Sequence, residues 1–241
     1  MRRLSTLVTL IWLARAAAAD PVLPADARLD SARVELDQLV AGLAAQGLPA
    51  ELLVAKVREG LAKQVPVARI LVVARKLGVE LVEVDALARR GLGLGRDSAP
   101  PGLLAALIDA RTSGAAVKEL AALIGEAGKE NDRAKAASAA TRAATSLADL
   151  AARGYPSEGV GALVGTLARG DGRKLGRLAG ALETLRKAEG LTPGQALELV
   201  RAAIAAGGDP DSAVRRGVSA GVRGKGLTPD QNKLKTKDPR K

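Results

Sequence analysis

The chain has 241 residues, no His, Cys or Phe, and single Met, Trp and Tyr residues. The missing side chains exclude Ser-His-Asp and Cys-His nucleophiles, a histidine base, and the zinc, haem, iron–sulfur and blue-copper sites built on His or Cys; they also exclude disulfide stapling. A formal net charge of +11 is unevenly spread, with +3 in residues 1–19, +5 in residues 223–241 and +3 over the whole body between them, so it does not describe a basic face of the fold.

The N-terminus reads Met1-Arg2-Arg3, an apolar run from Leu4 to Leu13, then small residues ending at Ala19. A positive region, a short apolar region and a small-residue cleavage site together predict a secretory signal peptide. Cleavage is expected between Ala19 and Asp20, with Ala17 and Ala19 as the small side chains. An uncleaved anchor would need about 20 apolar residues, and Arg15 ends the run well before that. Without cysteine there is no lipoprotein anchor, and no later apolar run is long enough to span a bilayer. The mature chain is therefore expected in the periplasm or outside the cell, with no transmembrane segment after cleavage.

From Asp30 onward, apolar residues recur at helical spacing and are punctuated by Gly and Pro. The predicted helices run from Asp30 to Gln46, Pro49 to Lys63, Pro66 to just before Gly78, and Glu80 to Arg90. A loop follows from Gly91 to Pro101. Further helices are predicted from Pro101 to Thr112, Ala115 to Ile124, Asn131 to Arg153, Pro156 to Arg169, Gly172 to Ala188, Pro193 to Ala206, and Pro210 to Val222. Proline suits the first turn and glycine the stop. Glu80 to Asp85 alternates in part, but it leads directly into a helical stretch and is read as helix. The core must be built from Leu, Val, Ala and a few Ile.

The chain also resembles itself. Gly47-Leu48-Pro49-Ala50-Glu51 returns as Gly154-Tyr155-Pro156-Ser157-Glu158, and Pro101-Gly102-Leu103-Leu104 as Pro193-Gly194-Gln195-Ala196-Leu197. The expected fold is all-α with no sheet: irregular helical-hairpin repeats, either α-solenoid-like or a helical bundle. The organisation expected is a signal peptide at 1–19, an extended N-terminal segment at 20–29, a first hairpin set at 30–126, a connecting Ala-rich helix at 127–153, a second hairpin set at 154–222, and a disordered basic tail at 223–241.

Several local patterns invite a chemical reading. Glu80 and Glu83 share a helix face, but paired carboxylates work in a cleft and these read as a solvated face. Asp209-Pro210-Asp211-Ser212 lacks the Gly and Glu of a calcium loop, Val214 and Ala220 standing there instead, so Asp209 reads as a helix cap. Gly91-Leu92-Gly93-Leu94-Gly95-Arg96 follows a helix, not a strand, and so reads as an interhelical loop. Tyr155 precedes a predicted helix at the position of a hydrophobic staple and is expected to be at least partly buried. No catalytic residue, metal ligand or cofactor is assigned.

In the tail, Lys225, Lys233, Lys235, Lys237, Arg240 and Lys241 are candidate contacts to a polyanion. Nucleic acid is disfavoured as a partner, because single-strand binders stack bases on aromatic side chains and export would place the protein away from most of it. The leading expectation is a non-enzymatic exported protein of the cell envelope that offers a helical-repeat surface to a protein partner. The alternatives are binding of anionic lipid or acidic polysaccharide through the tail, and a hydrolase or glycan-processing enzyme that uses carboxylates alone.

Overall fold

The computed structural model describes residues 22–170 and 172–215. The cleavage position Ala19–Asp20 and the six basic tail residues lie outside the described residues. Within them a 3-10 turn, Ala27–Leu29, precedes helices α1 (Arg33–Ala45), α2 (Ala50–Ala62), α3 (Val67–Leu92), α4 (Pro101–Thr112), α5 (Val117–Ala127), α6 (Arg133–Ala152), α7 (Val160–Arg169), α8 (Gly172–Glu189) and α9 (Pro193–Ala205). A further helix opens at Pro210. The fold is all-helical, with no strand among the described residues.

The chain divides into two compact units between Ile108 and Asp109, inside α4 and ahead of the 126/127 divide drawn from the sequence. In the first unit α1, α2 and α3 pack against one another. Their facing stripes are aliphatic: Leu36, Val40 and Leu43 from α1, Leu53, Val54, Val57 and Leu61 from α2, and Ile70, Leu77, Leu81 and Val84 from α3. In the second unit α7 lies against α5, α6 and α8, and α8 also meets α6 and α9. The Ala-rich helix α6 buries Ala136, Ala139, Ala140, Ala143 and Ala144 beside Leu147 and Leu150. Small side chains let neighbouring backbones come close at little cost in side-chain entropy.

One turn recurs at six places among the described residues. Gly47, Gln64, Gly93, Gly114, Gly154 and Gly207 all adopt positive φ after a helix. At each, the next residue's N–H reaches back to the helix: Leu48 to Leu43 O at 2.9 Å, Val65 to Gly60 O at 2.9 Å, Leu94 to Arg89 O at 3.0 Å, Ala115 to Ala110 O at 2.9 Å, Tyr155 to Leu150 O at 3.0 Å, and Gly208 to Ala203 O at 3.0 Å. This is the Schellman stop, which satisfies carbonyls that the helix end leaves open. The two copies aligned from sequence at Gly47 and Gly154 thus share this turn, with Leu48 and Tyr155 buried alike.

Three expectations need correction. The two helices drawn on either side of Gly78 are one, because a single buried stripe (Ile70, Ala74, Leu77, Leu81, Val84, Ala88) runs through it at spacings of four and three; the glycine costs roughly 1 kcal/mol in a helix without stopping it. The helix expected from Pro156 starts only at Val160, because Gly159 stands at φ 69°. Tyr155 therefore stands four residues ahead of the Gly159 cap instead of directly before it, and its N–H closes α6 at the Leu150 carbonyl.

Candidate functional site

Two carboxylates are buried among the described residues, Asp85 and Glu119, each 4% exposed. Neither is placed as an acid or base. Asp85 accepts the Ala99 N–H at 2.8 Å and pairs with Arg89 at 3.3 Å. Arg89 also donates to the carbonyls of Gly95 at 3.4 Å and Arg96 at 2.9 Å. The glycine loop is thus held through its carbonyls by a guanidinium. The Gly93 and Leu94 N–H groups are turned back to Arg89 O. A phosphate needs converging free N–H groups, and this loop has the opposite polarity.

Glu119 works over a longer range. Its Oε1 accepts the Gly159 N–H and its Oε2 the Gly161 N–H, both at 2.8 Å. A side chain from α5 thereby satisfies the first open N–H groups of α7, a role usually filled by a local Ser, Thr or Asp. The carboxylate also sits favourably at the positive end of the helix. The approach is possible because α7 presents Gly161 and Gly165 to α5, and a Cβ at Gly165 would lie 2.7 Å from Leu123 O. The Gly-x-x-x-Gly spacing was visible in the sequence, but the forty-residue reach to Glu119 was not.

The carboxylates with displaced titration are displaced downward. Lys56 and Lys63 hold Glu59 at about 2, and the Lys129 ammonium lowers Glu126, with Thr166 and Arg169 contributing less. Lys118 lowers Glu158, and Arg75 lowers Glu35. A general acid at neutral pH needs the reverse shift. Glu80 pairs with Lys76 at 3.8 Å, and Glu83 stays exposed. Asp209 accepts the Ser212 N–H at 2.7 Å and caps the helix opening at Pro210. No group of three or more metal-binding side chains occurs among the described residues.

The second unit carries an open groove of about 1020 Å³ lined by Pro156, Glu158, Leu191, Leu197, Glu198 and Arg201. Its two carboxylates are both committed to cations: Glu158 to Lys118 at 3.0 Å and Glu198 to Arg201 at 2.6 Å. Arg201 further donates to the Glu158 carbonyl at 2.8 Å. The groove can receive apolar surface but holds no poised acid–base pair.

A second surface lies on α3. Val72 is 60% exposed, Val79 61% and Val82 42%, and exposed Ala68 and Ala86 extend the row at either end. On a helix these residues fall opposite the buried stripe, so α3 carries a second, largely apolar row, broken by exposed Arg75 between Val72 and Val79. No helix of the described residues is long and apolar enough to cross a membrane. Comparison with protein-family models, with curated proteins and with solved structures finds no match to this chain.

Proposed function

We propose that this is a non-enzymatic protein of the cell envelope, exported by its N-terminal signal, which acts by presenting a helical surface to another protein chain. The carrying observation is the outer face of α3, where three valines, with Arg75 between the first two, stand in solvent along the longest helix of the described residues. Contiguous exposed apolar surface marks interaction sites far more often than isolated apolar residues do. The lack of His and Cys and the downward-shifted carboxylates favour binding over catalysis.

A photo-reactive side chain placed at Val79 in the native host tests this. It should give a discrete protein adduct, and the same group at exposed Asp37 on α1 should give none. Equal labelling at both positions, or none at Val79, would refute the reading. Mass spectrometry of the exported fraction should show a chain beginning at Asp20.

A second reading, adhesion to an anionic surface, rests on the net +5 of residues 223–241. Such attraction weakens steeply as salt rises, so retention on anionic vesicles that is insensitive to salt would argue against it.

A further inference from the structure

We infer that the outer face of α3 docks onto the same face of a second copy of this chain, with the two helices antiparallel. The inference rests on the interaction reading above and names its partner. Ala68, Val72, Arg75, Val79, Val82 and Ala86 follow one another at alternating steps of four and three along a continuous helix, and all six are exposed. That is the 3.5-residue rhythm of a helix–helix seam, and β-branched valines suit such positions. The buried face keeps the same rhythm two residues later, from Ile70 to Ala88. A helix with two opposite seams has partners on both sides, and the first unit supplies only one of them.

The polar residues of the seam select the second copy and its direction. Arg75 is the one charged member. In a parallel, in-register pair it would face the partner's Arg75 in the middle of the contact. With an antiparallel partner whose two-fold axis passes between Glu80 and Leu81, Arg75 faces the partner's Ala86, and Val79 faces the partner's Val82. Small Ala86 leaves room for a guanidinium, and the Arg75 charge is already matched by Glu35 of its own chain. Lys76 and Glu83 flank the seam on one side, seven residues apart and opposite in charge. The antiparallel arrangement brings each against the other's counterpart, so the pair forms twice. Arg69 and Arg90 approach each other at the rims, where solvent screening limits the repulsion.

The contact is modest. About ten residues per copy take part, against the 20–30 per side of a standard interface of about 800 Å² per partner. The dimer is therefore weak and depends on concentration.

The test uses the purified chain, whose lack of cysteine makes single-site labelling clean. Sedimentation equilibrium should show a reversible monomer–dimer exchange. Lys76→Glu and Glu83→Lys should each weaken it about tenfold, consistent with two surface ion pairs turned repulsive. The double variant Lys76→Glu/Glu83→Lys should restore it. A spin label on Ala68→Cys should report a distance of about 37 Å between copies, from 25 residues of stagger at 1.5 Å each, whereas a parallel pair would give about 10 Å. A chain that stays monomeric, a double variant no better than the singles, or the short distance overturns the inference. A cross-link from Val79 to a different protein would then still uphold the interaction reading by itself.

Discussion

Replacing Gly161 with alanine probes the α5–α7 crossing at its tightest point. The new Cβ would lie 2.7 Å from the Glu119 carbonyl carbon and 2.9 Å from its Cα, where ordinary contact begins at 3.4 Å. These are backbone atoms, so no rotamer change relieves the overlap and the helices must part by roughly 1 Å in a close-packed interior. Overpacking of this kind costs about 1–3 kcal/mol. The same retreat draws the Gly159 and Gly161 N–H groups away from Glu119, and hydrogen bonds to a charged group contribute about 1.5–3 kcal/mol each. Helix propensity returns about 1 kcal/mol. The net expectation is a loss of at least about 3 kcal/mol, which at a urea m-value of about 2 kcal/mol/M lowers the unfolding midpoint of the second unit by roughly 1.5 M or more. Gly180→Ala is the matched control. It lies in α8 with nothing within 4 Å of its added Cβ, and it should gain about 0.5–1 kcal/mol. Urea titration followed by far-ultraviolet circular dichroism reads both. A neutral or stabilising Gly161→Ala would refute the close-crossing account.

Glu119→Gln keeps the shape but removes the charge and leaves one acceptor oxygen for two N–H groups. It should cost about 1.5–3 kcal/mol in the same titration, and a cost below 0.5 would show that the capping is incidental. Tyr155 is buried with its hydroxyl unpartnered, so Tyr155→Phe should be neutral or stabilising by about 1 kcal/mol; a marked loss would reveal a partner for the hydroxyl. Burial, with the Glu183 carboxylate nearby, raises the Tyr155 pKa above its ordinary 10. The folded state therefore holds this proton more tightly, and the stability it contributes is complete below pH 10 and is lost as pH climbs through the folded value. As the only tyrosine, it can be followed by absorbance, and ionisation at 10 or below in the folded protein would contradict its burial. Deleting residues 224–241 should leave the melting temperature nearly unchanged and abolish low-salt retention on anionic vesicles; a collapsed melting temperature would place the segment in the core.

Much of the helical layout was legible because its punctuation is local. Pro101 and Pro193 open their helices as read, and Gly47, Gly114, Gly154 and Gly207 stop theirs, since a stop needs only positive φ at one residue. Gly78 and Gly159 show where local reading fails. The first lies inside a continuous buried stripe, and the second holds back a helix start whose cap comes from forty residues away. The buried carboxylates were illegible for the same reason: whether an acid is solvated or caps a distant helix depends on what the chain brings beside it. The outer seam of α3 was present in the letters from Ala68 to Ala86, but it was obscured by the second apolar row interleaved with it.

The bond from Glu119 to the start of α7 bears on the order in which the second unit assembles. The carboxylate is separated from its donors by the whole of α6. An early intermediate in which α5 buries its apolar face without α7 would strand an ionised group away from water, a cost several times that of an ordinary lost contact. Docking of α5 thus gains most of its free energy only once α7 has arrived, and α6 must by then span the distance between them. A mostly local helical topology acquires one obligatory long-range step, and such steps slow folding while sharpening its cooperativity. In stopped-flow experiments, weakening this bond should appear chiefly in the refolding rate if the step lies at the barrier, and in the unfolding rate if it follows.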